Sequence, residues 1–307
     1  MTDAHLWAIT CYFNPVGYKS RLANYRAFRS RLAVPLVTVE LSFENGFRLR
    51  RGDADILVQL HGESLMWQKE RLLNVAIRHL PPTCECVAWL DCDVVFERAD
   101  WPRRARLALE QYSLLRLFHK RHDLAPDMPI DWLVPQEIDD RFEGVARFEK
   151  IRSPGLAWAC RHELIERHGL YDACVVGSGD RAILYAALGL FDEAARILCM
   201  SGRRLEHYLA WAEPFHASVQ GRVGYIHGRL FHLWHGERTE RGYGERRQHL
   251  LEECDFDPDH DIGVDSNGCW RWISEKHNLH EAVRRYFLSR NEDGQVPAIE
   301  QLSETKG

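Results

Sequence analysis

At 307 residues, 45% hydrophobic and 28% charged, the chain can bury the core of one large α/β domain or two smaller ones. Its formal net charge of −5 excludes the basic excess of a dedicated nucleic-acid binder. No run reaches the roughly 18 apolar residues of a membrane span.

The N-terminus, MTDAHLWAITCYF, lacks a basic n-region. Nine cysteines, an odd number, are scattered and often lie inside apolar runs, as at Cys11, Cys92, Cys160 and Cys199. Both features point to reduced thiols and a cytoplasmic protein. LWAITCYF (6–13) reads as a buried first strand, stopped by Asn14-Pro15 and a Gly17 turn. SRLANYRAFRSRL (20–32) has helical period; PLVTVELSF (35–43) and ADILVQL (54–60) read as strands. WQKERLLNVAIRHL (67–80) is a helix closed by Pro81-Pro82, and VAWLDCDVVF (87–96) is a strand. This alternation predicts a parallel sheet with crossover helices, whose ligands bind beyond the carboxyl ends of strands. An irregular, partly acidic stretch follows to about residue 150. GLAWAC then reads as a strand, RHELIERHG as a helix ending at Gly169, and GSGD as a loop opening another helix. GRVGYIHGRLFHLWHGE (221–237) gives a strand and a His-rich loop, and CWRWISEKHNLHEAVRRYFLSR reads as helical.

Within this frame Asp91-Cys92-Asp93 is the most informative triplet. Extended chain alternates with period two, so both carboxylates face one way and repel unless a cation or strong donors lie between them. Hard oxygen ligands suit Mg2+ or Mn2+; the competing reading is two aspartates capping a turn. HLWH offers His232 and His235, which reach one ion if the segment turns and otherwise are ordinary buried histidines. A mixed Asp/His set favours Mn2+ over Ca2+. Asp180, at the end of GSGD, is either an acid delivered by a flexible loop or a helix N-cap. Arg71 and Asn74 share a helix face that is by default solvated, and Trp67 stands at that helix's mouth as a stacking surface or core edge. Asn14 and Arg21 follow the first strand, where they frame a ligand or simply pack. P-loop, dinucleotide-binding and G-x-S-x-G fingerprints are absent.

The order of these pieces resembles metal-dependent glycosyltransferases of the GT-A fold, in particular the β-1,4-galactosyltransferase family. WQKERLLNVAI is similar to that family's F-N-R-A-K-L-L-N-V-G helix, and WLDCDVVF to its D-V-D segment. The run GLAWACRHELIERHGLYDACVVGSGDRAIL matches the layout from F-G-G-V to W-G-G-E-D, and HLWHGERTE lies where the family has M-x-x-H. The likeness spans roughly residues 6–245. It implies a Rossmann-like, mixed but mostly parallel sheet flanked by helices, with a UDP-sugar as donor substrate and Mn2+ or Mg2+ as cofactor. Residues 1–245 would form the transferase domain, and 246–307 a helical extension packed on it with a mobile tail.

Carried over by position, the resemblance makes Asp93, His235 and His232 metal ligands. Asp91 would lie beside the metal and the sugar nucleotide, and Asp180 would be the general base. Asn14, Arg21, Trp67, Arg71, Asn74 and Gly155 would line the donor pocket. The reaction implied is inverting hexosyl transfer to a hydroxyl acceptor: a glycan, protein, small molecule or modified nucleic acid. Gly179 stands where the family has glutamate, and YFNPVGYKSR departs from its N-terminal nucleotide motif. GERTERGYGE (236–245) carries Gly236, Gly242 and Gly244 as hinges, with Arg238 and Arg241 as phosphate-closing groups or as surface residues. Two other readings use the same residues: a metal-dependent phosphoesterase or nucleotidyltransferase, and a non-catalytic nucleotide-sugar-binding module.

Overall fold

The first strand, β1 (Leu6–Phe13), is apolar on both faces because both are covered. Leu6 and Ala8 pack into one core cluster, Ile9 and Phe13 into another on the opposite face. Helix α1 (Lys19–Ser30) sends Phe28 into the first cluster. Helix α2 (Lys69–Ile77) sends Leu72, Leu73 and Val75 into the second. Each such buried aliphatic side chain contributes about 1.5–3 kcal/mol. The computed structural model describes residues 5–43, 46–126, 142–144, 154–236 and 255–293.

Strands β2 (Leu36–Ser42), β3 (Ile56–His61) and β4 (Cys86–Leu90) join β1 in parallel, in the order β3-β2-β1-β4. The chain therefore winds away from β1 on one side and returns on the other, leaving a crevice at the carboxyl ends of β1 and β4. The sheet continues with β9 (Ala157–Arg161), β6 (Leu114–Arg116), β10 (Val223–Ile226) and β8 (Phe142–Gly144). β9 runs antiparallel to both β4 and β6, so the sheet is mixed and mostly parallel. Helices α3 (Trp101–Ala108), α4 (His162–His168), α5 (Gly179–Leu188), α6 (Phe191–Leu198) and α7 (Gly202–Val219) complete this part. α4 stops at Gly169, whose φ of +62° glycine adopts without penalty.

The expected strand 87–96 is broken. β4 ends at Leu90, residues 91–93 turn, and the chain re-forms as β5 (Val94–Phe96) in a second sheet, β5-β11-β7. There β11 (Arg229–His232) lies between β5 and β7 (Lys120–Asp123). Two backbone hydrogen bonds set the break: Asp91 N–H to Leu156 O, and Leu233 N–H to Asp93 O, each 2.8 Å. Period-two alternation holds only in extended chain, so the expectation that both carboxylates share one face fails here.

Beyond residue 255 come α8 (Pro258–Asp261), the hairpin β12 (Ile262–Val264) and β13 (Trp270–Trp272), and α9 (His277–Leu288). Trp270–Trp272 is thus strand, not the start of a helix; Cys269 N–H and Asn267 N–H donate to Asp265, forming the hairpin's turn. Phe256, Ile262, Cys269, Leu279, Val283 and Phe287 join the same core cluster as Ile9 and Leu72. Among the described residues no helix is long and apolar enough to cross a membrane.

Candidate active site

The break after β4 sends its two aspartates in different directions. Asp93 meets the histidines. β11 pairs with β5 so that His232 lies opposite Val94, and three residues on, past the end of the strand, His235 folds back. Its Nε2 is 3.1 Å from His232 Nε2 and 3.1 Å from Asp93 Oδ2; His232 Nε2 is 3.8 Å from Asp93 Oδ1. One ligand atom from each residue lies within 4.8 Å of the others, and both imidazoles are buried.

The far sides of the two rings are also occupied. Asp123 Oδ1 is 2.9 Å from His232 Nδ1; in the β11–β7 ladder these two residues are direct partners. That hydrogen bond, with Arg121 assisting against burial, holds the Asp123 carboxyl well below its ordinary range. Glu292 Oε2 lies 4.0 Å from His235 Nδ1. Carboxylates behind the Nδ1 atoms leave both Nε2 atoms aimed at a shared point, the arrangement metal-ligating histidines adopt. One carboxylate and two imidazoles suit a transition-type divalent cation such as Mn2+, so the donor set fits the ion that the sequence implied.

Asp91 belongs to a second cluster. Its Oδ1 is 2.5 Å from Lys69 Nζ, and the same ammonium is 2.7 Å from Asp180 Oδ2. Burial opposes the Lys69 charge, but Asp180 and Asp91 outweigh it and hold the amine protonated well above its ordinary range. Burial raises the Asp180 carboxyl; Lys69 opposes the rise and Asp91 adds to it. Asp180 is the second residue of α5, and Ser178 just before the helix has φ of +84°. Leu156, beside Gly155, has φ of +86°. Non-glycine residues in this region cost of order 1–3 kcal/mol and gather at functional sites. A Cβ at Gly155 would stand 2.7 Å from Asp180 Oδ2, so the missing side chain is what lets the backbone approach that carboxylate.

Glu70 completes this cluster. It is 2% exposed, accepts a hydrogen bond from Trp67 Nε1 at 3.2 Å, and its Oε1 has no hydrogen-bond partner among the described residues. Burial first, and Asp180 second, push its carboxyl up to about 8.

The other expected donor-pocket residues have defined partners. Asn14 closes the turn after β1, bonding Tyr18 O at 2.8 Å and Tyr18 N–H at 2.9 Å. Arg21 engages Glu292 through Nε and Nη2 and donates from Nη1 to Phe13 O. Trp67 stacks on Phe287 with the Arg290 guanidinium 5.1 Å from its ring centre. Arg71 bonds Gly268 O and Asp172, and Asn74 bonds Asp172 and the Leu170 backbone, tying α2 to the β12–β13 turn and to the segment after α4. The segment 237–245, with Arg238, Arg241, Gly242 and Gly244, lies outside the described residues.

Lys69, Glu70, Asp123 and Glu292 escaped sequence reasoning. Lys69 and Glu70 sit inside the helix whose opposite polar face had been singled out. Asp123 is visible only once the strand register is known.

No protein-family model matches the chain, and no curated protein matches its sequence. Among solved structures the chain is similar to Drosophila β1,4-galactosyltransferase 7 in a complex with manganese, UDP-Gal and xylobiose. The identity is 11%, with 91% of this chain and 98% of that chain covered and a TM-score of 0.37. It is similar to a protein assigned as a nucleotide-diphospho-sugar transferase from Desulfovibrio desulfuricans G20, at 10% identity, 93% and 99% coverage and a TM-score of 0.35. A third is 4-diphosphocytidyl-2C-methyl-D-erythritol synthase from Anaerococcus prevotii, at 12% identity, 73% and 86% coverage and a TM-score of 0.32. These likenesses are distant, and the side chains at the crevice carry the functional argument.

Proposed function

We propose that the chain is a metal-dependent glycosyltransferase that moves a sugar from a UDP-sugar to a hydroxyl acceptor with inversion. One observation carries the reading: an Asp/His/His cluster of potential cation ligands and a half-buried acid, Asp180, with raised affinity for a proton are gathered around the two members of one aspartate pair. In this reading the described residues 255–293 act as an extension packed on the transferase domain; the rest of 246–307, with the expected mobile tail, lies outside the described residues.

A divalent ion held by Asp93, His232 and His235 would neutralise the negative charge that develops on the departing nucleotide diphosphate. Asp180 takes the proton from the acceptor hydroxyl as its oxygen bonds to the anomeric carbon and the bond to UDP breaks on the opposite face. A carboxylate with raised proton affinity is better matched to that transfer near neutral pH than an ordinary one. Lys69 keeps Asp180 ionised and in place until the acceptor arrives, and Asp91, through the same ammonium, fixes Lys69. Gly155 leaves room for the carboxylate to be approached. Glu70, protonated below about pH 8, is a hydrogen-bond donor buried beside the base.

The test is a panel of UDP-sugars assayed for UDP release, with Mn2+ or with EDTA. Mn2+-dependent release of UDP from one sugar supports the proposal and identifies the donor. Release of sugar 1-phosphate would replace it with phosphoester hydrolysis, where the nucleoside monophosphate is set free, or nucleotidyl transfer, where it is passed to an acceptor. Binding without turnover of any donor would leave a nucleotide-sugar-binding module.

A further inference from the structure

After α9, residues 290–293 lie against both α1 and the loop that carries His235. Asp293 accepts hydrogen bonds from Lys19 N–H and Ser20 N–H, each 2.9 Å, and so satisfies the otherwise open amino end of α1. The Ser20 hydroxyl donates to Glu292 O at 3.2 Å. Gly236, immediately after His235, has φ of +87°, and a Cβ there would stand 2.8 Å from Asn291 O and Glu292 Cα. The strap and the histidine loop therefore touch backbone to backbone.

The side chain at the centre of this contact is Glu292, 1% exposed. Arg21 holds it through Nε and Nη2, Arg290 holds it through Nε at 2.6 Å, and His235 Nδ1 lies 4.0 Å from it. Burial alone would raise this carboxyl, but Arg21 and Arg290 outweigh it and keep it ionised. The His235–Glu292 separation is about 1 Å beyond hydrogen-bond length. It repeats, from a different part of the chain, the relation of Asp123 to His232.

We infer that Glu292 is a positioning residue of the metal centre, so that docking of 290–293 and cation binding are one coupled equilibrium; this rests on the metal reading above. Glu292 acts in two ways. It selects the His235 tautomer that carries its proton on Nδ1 and leaves Nε2 free to ligate. It also offsets part of the positive charge that Arg21 and Arg290 bring beside a cation site. Coupling is reciprocal: an ion that binds better with the strap docked must hold the strap in place.

The experiment titrates Mn2+ alone into the full chain and follows free Mn2+ by electron paramagnetic resonance. It compares the unaltered protein, Glu292→Gln and, as the control for the site itself, Asp93→Ala. Thermal unfolding in EDTA reports whether each variant folds. The expected result is binding by the unaltered protein, none by Asp93→Ala, and affinity about 10–100-fold weaker in a folded Glu292→Gln. Equal affinity of Glu292→Gln and the unaltered protein would overturn the inference while leaving the metal site standing. Absence of binding by the unaltered protein would remove both. Should Glu292→Gln fail to fold, hydrogen exchange on the unaltered chain decides: Mn2+ must slow exchange across 286–293, and no change there sinks the coupling.

Discussion

Asp91 and Asp93 are two residues apart, chemically identical, and surrounded in opposite ways. Asp91 already has its cation: Lys69 lies 2.5 Å away and is shared with Asp180. Asp93 faces two imidazole nitrogens whose far sides are backed by carboxylates, a set of donor atoms converging within 4.8 Å of one another. The contrast shows how one turn separates a repelling carboxylate pair, one member bound to an ammonium of the chain and the other set among imidazoles. In the proposed mechanism these two surroundings serve the base and the cation respectively.

The sharpest way to break this comparison is to delete the carboxylate on the cation side. Asp93→Ala should abolish Mn2+-dependent UDP binding, measured by calorimetry; unchanged affinity would mean the Asp/His/His set holds no ion. On the other side, Asp180→Asn should lower turnover by about 10²–10⁴-fold while UDP and Mn2+ still bind. Full activity in that variant would assign the base elsewhere.

Lys69→Met tests whether the Asp91 side truly carries its own cation. Losing the ammonium strands two half-buried carboxylates, and the expected cost is about 3 kcal/mol in denaturant unfolding near neutral pH. The loss should shrink in acid as Asp180 takes up a proton. A cost that does not vary with pH would mean that the lysine acts by packing alone.

The smallest effect concerns Glu70. Its folded-state carboxyl is raised from 4.5 to about 8, so its contribution to stability is fully present below the unfolded value and is lost as pH rises through about 8. Glu70→Gln, neutral at every pH, should flatten the fall in melting temperature between about pH 5 and 9. Superimposable profiles would show that this carboxyl titrates as an ordinary one.

Much of the frame was legible because it rests on local pattern. LWAITCYF, VAWL and the apolar side of KERLLNVAI are written in the periodicities of strand and helix, and Gly169 and Pro81-Pro82 punctuate them. Asp93, His232 and His235 could be singled out because ligand-type residues are unusual next to apolar strand ends, and the fold does bring them together. The split at residues 91–93 was hidden because it depends on hydrogen bonds with segments far along the chain, from Asp91 N–H to Leu156 O and from Leu233 N–H to Asp93 O. Asp123 was hidden because strand register is a tertiary fact. Lys69 carries no signal in the sequence; its two acidic partners come from distant strand and helix ends. Likewise WRW, aromatic and amphipathic, gives no sign that Asp265 will turn it into a hairpin.

Glu70 and Gly179 lay claim to a single volume. A Cβ on residue 179 would stand 2.3 Å from Glu70 Cδ and 2.4 Å from its Oε1. Sequence change at these two sites is therefore reciprocal: a larger residue on the α5 side is viable only alongside a shortened one on α2. Libraries randomised at both positions should return survivors in linked combinations, and either site diversified alone should return almost nothing but the starting residue.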